Sequence, residues 1–299
     1  MEQDIESVPV KWEYLDKVSD FELELKVADI NTPVENLIHF HESFEIIFYI
    51  KSQNKAYIND IAYDLNSNDI LIIPPRQIHS IQYTPSIPYM RYVLYFSCSF
   101  IQSTLDTMGC SDILSYFESI PYKKITLNPA SINHFSQLFH LFYQQRKKMS
   151  SYKELPSSPI LIAYTITLLI EIYEQFKICN VNHAVQTEQT PITEKIIKYI
   201  NRNYAENINL KDLENAFFVS KYYICRLFHE NLGVSVIEYL QYKRIIEAQK
   251  LLDDTDRPII DICFNCGFNN IQHFYRVFKK ISQMTPQQYR TVHQSHDKK

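Results

Sequence analysis

The chain has 299 residues, enough for one or two domains, and its 45% apolar and 21% charged residues are typical of a globular protein that folds in water. Its three glycines are scattered, which excludes a glycine-rich phosphate loop, a dinucleotide fingerprint and with them most nucleotide-using enzymes. The net charge of −4 is uneven, because residues 191–299 hold 16 Lys and Arg against 12 Asp and Glu, and this basic part favours a polyanionic partner.

Targeting signals and disulfide patterns are absent from the sequence. The first ten residues are acidic and lack an apolar stretch, so they do not form a signal peptide. The longest apolar run, 160–170, is too short to span a bilayer. The six cysteines show no disulfide framework, and Cys263 and Cys266 lack the second pair that a structural zinc site needs. We predict a cytoplasmic protein without a membrane segment, with Cys263 packed inside a helix.

Residues 20–125 have the pattern of short β-strands. Runs rich in β-branched and aromatic residues are separated by turn sequences such as Asn59-Asp60 and Pro74-Pro75. Several short strands at close spacing predict a small antiparallel barrel or jelly roll, which we assign to residues 1–125. The predicted strands are 21–27, 45–50, 55–58, 61–65, 70–73 and 89–97.

Three histidines and a glutamate stand out among these strands. They resemble the two cupin motifs, H-x-H-x3-E and P-x-G-x2-H, with Arg76 where glycine is usual. In metal-binding cupins the matching positions are ligands, and three imidazoles with a carboxylate suit a divalent transition metal. The same side chains could instead line an effector pocket or make structural hydrogen bonds, so we take them as candidate pocket residues and assign no metal or cofactor. The four residues are His39, His41, Glu45 and His79.

From residue 131 the apolar spacing becomes helical. A second helix, predicted at 160–176, is apolar nearly all round, which is typical of a helix buried on several sides. One of those sides faces either a partner subunit or the rest of the same chain. Residues 181–190 are polar and unpatterned, and we assign them to a linker. The stripe of the first helix consists of Ile132, Phe135, Leu138, Phe139 and Phe142.

Residues 210–290 contain a sequence repeat with an offset of fifty positions. Residues 218–228 align with 268–278, so that Ser220 falls on Asn270 and Arg226 on Arg276. Each copy predicts two helices joined by a tight turn, at about 210–231 and 258–281. In this helix-turn-helix arrangement the second helix can enter the DNA major groove. Ser220 and Asn270 are the predicted N-caps of those second helices.

A long helix is predicted between the two units. Ser235 and Glu238 form a capping box at its start, and it runs to about Leu252. A second box at 285–288, with Pro286 at the first helical position, predicts a last helix. A rigid spacer of this kind would hold the two second helices for successive major grooves, roughly 34 Å apart.

The outward faces of the two second helices carry residue types that contact DNA. Arginine bonds guanine, glutamine pairs with adenine, and lysine or histidine suits phosphates or bases. Arg226 and Arg276 are the first candidates for base contacts. An outward arginine in both copies argues against two ordinary solvated faces. The predicted DNA-binding residues are Ser220, Lys221, Tyr222, Cys225 and Arg226 in the first copy and Asn270, Gln272, His273, Arg276 and Lys280 in the second.

The repeat resembles the double helix-turn-helix domain of AraC/XylS-type transcription regulators over residues 210–290. Glu214 and Cys263 stand where small residues are usual, and Gln283 replaces the usual glycine. Glu214 bears on the shape of the first unit. The matching string runs through Arg226-Leu227-Phe228, Gly233-Val234-Ser235, Tyr239-Leu240, Arg244-Ile245, Gly267-Phe268, Arg276-Val277-Phe278, Met284-Thr285-Pro286 and Tyr289-Arg290.

This resemblance implies an α+β protein with a cupin-like sensor barrel, a helical dimerisation segment at 126–180, a linker and an all-α DNA-binding domain at 191–299. It implies an activator of nearby operons that responds to a small effector, commonly a sugar in this architecture. Such a protein acts as a homodimer on double-stranded promoter DNA with RNA polymerase. The competing interpretation, a metal-dependent cupin enzyme, leaves the repeat unexplained, so we interpret the chain as a regulator and not as an enzyme.

Overall fold

The computed structural model describes residues 21–28, 38–83, 87–150, 158–180 and 191–294. In these ranges an N-terminal part rich in strands is followed by a part that is entirely helical. The strands are β1 (Phe21–Ala28), β2 (Ile38–His39), β3 (Phe44–Lys51), β4 (Gln53–Ile58), β5 (Ile61–Asn66), β6 (Asp69–Ile73), β7 (His79–Gln82), β8 (Tyr89–Phe96) and β9 (Lys124–Thr126). The helices are α1 (Cys98–Thr107), α2 (Asp112–Ser119), α3 (Pro129–Ser150), α4 (Pro159–Asn180), α5 (Ile192–Asn203), α6 (Leu210–Phe217), α7 (Lys221–Leu232), α8 (Val236–Asp254), α9 (Ile259–Asn265), α10 (Ile271–Ser282) and α11 (Pro286–Gln294).

Two antiparallel sheets form the N-terminal domain. One has the strand order β1-β8-β3-β6-β9 and the other β2-β7-β4-β5. Side chains alternate between the two faces of a strand, and the inward sets of both sheets form one shared core that includes Ile47, Val93 and Ile58. This is the antiparallel barrel-like domain that the strand pattern predicts.

Helices α1 to α4 cover the outer face of the five-stranded sheet. Phe48 and Leu94 from that sheet pack with Phe139 of α3 and Leu168 of α4 in a second core. By length and hydropathy α4 is the one helix of the described residues that could cross a membrane. Its buried side packs in this core, as expected of a core helix, while Ile178 at its end is exposed.

The C-terminal part contains the two predicted helix-turn-helix units. Helices α6 and α7 form the first, α9 and α10 the second, and α8 lies between them. The Ser235–Glu238 capping box at the start of α8 is present. Thr285 and Gln288 bond each other reciprocally at the start of α11, where Pro286 is the first residue. These local predictions are confirmed. Each could be made from the sequence because it depends on residues only three positions apart.

Several elements were not predicted from the sequence. The strand pattern missed β2, β7 and β9, which have only two to four residues each. It also assigned residues 98–119 to the barrel, although α1 and α2 form there around Leu105 and Phe117. Both helices are too short for a clear helical period. The predicted linker, 181–190, lies outside the described residues, as do residues 1–20 of the predicted sensor.

Candidate functional site

The second helix of each unit begins at the predicted cap. The Ser220 side chain accepts a hydrogen bond from Tyr223 N at the start of α7, and the Asn270 side chain accepts one from His273 N at the start of α10. Each cap satisfies one backbone donor that the first turn of the helix leaves free. Both helices therefore present an ordered N-terminus at the surface.

The two helices bury one face and expose the other. Ile224 and Phe228 of α7, and Phe274 and Phe278 of α10, are fully buried. On the opposite faces Lys221, Tyr222, Arg226, Gln272, Arg276 and Lys280 are exposed, whereas Cys225 and His273 are half-buried. The geometry thus brings the predicted DNA-binding side chains to the surface on both helices, with Cys225 and His273 less accessible than the others. Cys263 is buried within α9, as predicted.

Glu214 and Phe218 give the first turn features that the second turn lacks. The Glu214 carboxylate accepts a hydrogen bond of 3.1 Å from Lys221 N, so it adds a cap to α7 across the turn. Phe218 ends α6 in the left-handed conformation, with φ of 55°, and its ring is 93% exposed. Its partner in the sequence repeat, Phe268, is buried. The left-handed residue of the second turn is Gly267, so the alignment of Phe218 with Phe268 does not hold in the structure.

The four histidine and glutamate residues of the sensor converge on one point. His39 and His79 are paired across β2 and β7, and Glu45 extends from β3. One ligand atom from each of the four residues lies within 4.8 Å of the others. His41, Glu45 and His79 are buried. The tertiary structure therefore assembles the set that the cupin resemblance predicts.

Hydrogen bonds determine which ring atom faces the centre of this cluster. His41 Nδ1 donates to Ser43 O and His79 Nδ1 donates to Gln77 O, each at 2.8 Å, since a carbonyl oxygen only accepts. Both Nε2 atoms lie 3.2 Å from Glu45 Oε2. The His79 Nε2 contact with Glu45 is not well aligned as a hydrogen bond, and no other described residue bonds this buried nitrogen. With Nδ1 donating on each ring, the Nε2 lone pairs point at a carboxylate oxygen, so the cluster suits a bound hydrogen-bond donor or cation.

The Glu45 carboxylate is held in its charged form. Burial raises its pKa, but hydrogen bonds and charge from His41 and His79 outweigh burial and bring it well below its usual range. Tyr95 donates a hydrogen bond of 2.8 Å to Glu45 Oε1, which orients the group from the other side. Metal-binding imidazoles and carboxylates are commonly oriented by hydrogen bonds to groups outside the ligand set. Ser43 O, Gln77 O and the Tyr95 hydroxyl make such bonds here.

This donor set fits a divalent transition metal. Ligand distances of about 2.0–2.2 Å place tetrahedral ligand atoms roughly 3.4 Å apart, which small inward shifts of the cluster would reach. Three imidazole nitrogens and one carboxylate oxygen suit zinc, nickel or iron rather than calcium or magnesium. Sugar hydroxyl groups would fit the same acceptors as hydrogen-bond donors.

The four-stranded sheet of the sensor also contacts the helical domain through polar groups. Arg76 Nε donates to Glu42 at 2.6 Å, and its Nη2 pairs with Asp253 at the end of α8. Tyr289 of α11 donates to Glu42 at 2.9 Å. We call Arg76, Glu42, Asp253 and Tyr289 the Arg76 latch.

A second set of contacts reaches the C-terminal end of α7. Gln82 Nε2 donates to the carbonyls of Glu230 and Asn231, and the Tyr57 hydroxyl donates to Asn231 Oδ1. The sensor thus contacts the first unit through α7 and the second through α8 and α11.

Residues 38–42 alternate between the histidine cluster and the helical domain. His39 and His41 point into the cluster, while Ile38 and Phe40 belong to the apolar core of the helical domain. The Phe40 ring meets the edge of Tyr242 in α8, at 6.2 Å between centroids. Glu42 follows as part of the Arg76 latch. This segment therefore contacts both the histidine cluster and the helical domain.

Comparison with known proteins yields two family models. The model for an AraC-like ligand binding domain matches residues 37–155, and a helix-turn-helix domain model matches residues 213–291. The HTH-type transcriptional regulator YdiP of Escherichia coli is 24% identical over 84% of this chain and 80% of its own length. The arabinose operon regulatory protein of E. coli is 24% identical over 81% of this chain and 76% of its own. The solved ToxT of Vibrio cholerae is 16% identical, with a TM-score of 0.37, over 93% of this chain and 99% of its own.

Proposed function

The chain belongs to the AraC family of DNA-binding transcription regulators, and from this membership we propose that a ligand in the histidine cluster controls how its two helix-turn-helix units bind promoter DNA. The relatives that match over most of the chain are named as transcription regulators, so we assign the chain to the regulators and not to the enzymes. The observation that carries the proposal is the two-sided segment 38–42, which contacts the ligand site and the DNA-binding domain at once.

The exposed faces of α7 and α10 are the proposed DNA-reading surfaces. Arg226 and Arg276 contact bases, as do Tyr222 and Gln272, with Cys225 and His273 at their edges. Lys221 and Lys280 neutralise phosphates, and the capped N-termini at Ser220 and Asn270 lie beside the backbone. This assignment is supported by the exposure of these side chains on helices whose other faces are buried.

Titration of the full chain on the DNA upstream of its own gene tests the proposal. Fluorescence anisotropy with random duplex as the control and a salt series should give tight, salt-dependent binding that prefers the upstream fragment. Arg276→Ala should cost about 1–3 kcal/mol on the preferred fragment only, because a lost base contact removes specificity. Lys280→Ala is the matched control, with a uniform loss on both duplexes. Equal losses for Arg276→Ala on both duplexes would contradict the base-reading role.

The histidine cluster is the proposed effector contact. It offers the imidazole Nε2 atoms of His41 and His79 and the oxygen of Glu45, so the matching ligand group is a hydrogen-bond donor or a cation. A sugar would present hydroxyl groups to these acceptors. A divalent metal ion is the second candidate, favoured by the convergence of one ligand atom from each of the four residues within 4.8 Å. His39 would complete either site.

The Arg76 latch is the proposed output of the sensor. Ligand binding can shift an equilibrium only if the ligand binds the two arrangements with different affinity. Because His41 and Glu42 are adjacent in the chain, ligand contacts at His41 alter the position of Glu42 relative to Arg76 and Tyr289. The docked arrangement described here and an undocked arrangement would then differ in how freely α7 and α10 engage DNA.

The remaining assignments follow the resemblance of the chain to its family. We propose a sensor at 1–125, a dimerisation segment at 126–180, a linker at 181–190 and a DNA-binding domain at 191–299. We further propose a cytoplasmic homodimer that activates nearby genes with RNA polymerase. Leu141 on α3 and Ile160 and Ile178 on α4 are exposed apolar side chains. They support a partner subunit that packs against these two helices.

A further inference from the structure

A buried arginine lies inside the sensor, apart from the histidine cluster. Arg91 is on β8, where Arg91, Val93 and Tyr95 face the core between the two sheets and the alternate residues face the helices. Only 7% of its surface is exposed. Arginine is almost never buried to this extent unless it is paired.

Two nitrogens of this guanidinium have no partner in the described parts of the chain. Both Nε and Nη1 of Arg91 are buried without a hydrogen bond, and among the described residues no carboxylate forms an ion pair with Arg91. A buried guanidinium without a carboxylate partner is destabilising, and an anion from outside the chain would supply that partner.

Aromatic rings and a buried hydroxyl surround the guanidinium of Arg91. Its Cζ lies 5.0 Å from the centre of the Tyr83 ring and 5.4 Å from that of Tyr89, within the range of a cation–π interaction with this stacked pair. Its N–H bonds lie in the guanidinium plane, where charged oxygens bind. The hydroxyl of Tyr49, opposite Arg91 in the strand register, is buried close to the guanidinium but makes no well-aligned hydrogen bond within the described residues. Burial raises the pKa of Tyr49, so it remains a donor at neutral pH.

We propose that the effector carries an anionic oxygen group, a carboxylate or a phosphate, that enters the core between the sheets and pairs with Arg91 and the Tyr49 hydroxyl. The inference rests on the proposed function, in which the histidine cluster is the effector contact of the sensor. It adds the chemical class of the ligand, which the cluster alone leaves undefined.

The positions of the two sites describe the ligand further. Tyr49 pairs with Arg91 and Glu45 pairs with Tyr95, four residues away along β3 and β8, which is about 13 Å at the rise of a strand. Between them lie the apolar Ile47 and Val93. A ligand that reaches both sites thus has an anionic end at Arg91, a hydroxyl, ammonium or metal-bound end at the histidine cluster, and a spacer between them that is longer than that of a small hydroxy acid or amino acid.

Thermal unfolding of the full chain without added anion is the first measurement. Arg91→Met replaces an unpaired buried cation by an apolar side chain of similar length, so its Tm is expected to equal or exceed that of the wild type. A structural role for Arg91 would lower the Tm instead, and a clear decrease would overturn the proposal.

Formate, the smallest carboxylate, and inorganic phosphate are then compared with chloride at constant ionic strength. One of them should raise the wild-type Tm by about 2–4 °C more than chloride does, because a ligand that binds only the folded state stabilises it. Arg91→Met should lose this difference. Arg257→Met, which removes an exposed arginine, should keep it. The more effective anion identifies the class.

Two results would refute the anion site. In the first, neither formate nor phosphate raises the Tm of the wild type more than chloride does. In the second, the Tm of Arg91→Met responds to these anions as that of the wild type does. The measurement uses no DNA, whereas the promoter titration uses no added effector. Failure of the promoter titration with an intact formate response would overturn the regulator assignment alone, and the reverse would overturn the anion site alone.

Discussion

Phe218 and Gly267 hold the left-handed position in the turns of the two helix-turn-helix units, with φ of 55° and 82°. At Gly267 a Cβ would lie 2.7 Å from the carbonyl oxygen of Ala205, so only glycine fits. At Phe218 no such crowding confines the residue, and the ring extends into solvent. The left-handed position thus requires glycine in the second unit, whereas in the first unit it accepts a residue with a side chain.

Phe218→Gly is expected to stabilise the protein by about 0.5–1 kcal/mol. A side chain in the left-handed region costs roughly 1–3 kcal/mol, and the greater freedom of glycine in the unfolded chain offsets only part of that gain. Chemical denaturation of the full chain measures the change. Gln283→Gly, at the other non-glycine helix end with φ of 56°, should change in the same direction. A loss of stability in both variants would contradict this account.

At the scale of secondary-structure elements, three strands meet at the histidine cluster. His39 on β2 and His79 on β7 are paired neighbours, and Glu45 lies on β3 in the other sheet. The cluster therefore links the two sheets at one end of the sensor. A ligand bound there would contact both sheets and hold them together.

Zinc added to the full chain should raise its stability if the cluster accepts a cation. At a hundredfold excess over Kd the gain is about 2.7 kcal/mol, which thermal unfolding detects. His79→Ala should lose the effect, because it removes one of the four ligand groups. His134→Ala is the control, since this exposed histidine pairs with Glu171 on the surface. Equal zinc responses in the two variants would show that the ion binds elsewhere.

At the scale of the whole molecule, the described residues form successive layers. Helices α1 to α4 cover the first sheet, the two sheets enclose the sensor core, and the second sheet docks on the DNA-binding domain. The contact between the two domains combines apolar residues such as Phe40 with the charged groups of the Arg76 latch. Its strength therefore depends on charge as well as on apolar packing. Interfaces between domains of one chain resemble transient protein interfaces in this respect.

Arg76→Ala is expected to loosen this docking. It leaves Glu42 and Asp253 facing each other without the cation between them, at a cost of about 1–3 kcal/mol for these partly exposed groups. Hydrogen exchange of the full chain should accelerate in β2, β7 and α11. Lys55→Ala is the control, because the exposed pair of Lys55 and Asp64 contributes little. Unchanged exchange in Arg76→Ala would mean that the apolar contacts alone hold the domains together.

The sequence by itself determined what depends on neighbours a few positions apart. The helix caps at Ser220, Ser235 and Asn270, the buried faces of α7 and α10, and the longer strands all follow from local spacing, and the repeat identified the DNA-binding domain. The cupin motif named the histidine cluster because its residues lie close together in two short segments.

Only the tertiary structure decided which distant residues meet. Arg76 pairs with Asp253 across 177 positions, and no periodic pattern encodes such a contact. That Arg91 meets two tyrosine rings and no carboxylate among the described residues is likewise a property of the packed sheets, because a sequence shows an arginine on a strand but not what surrounds it. Glu214, a departure from the family pattern in the sequence, became a helix cap only once the turn brought its carboxylate to Lys221 N. Caps, turns and apolar spacing in a sequence reflect the conformational preferences of short segments. Contacts between distant residues depend instead on the packing of the whole chain.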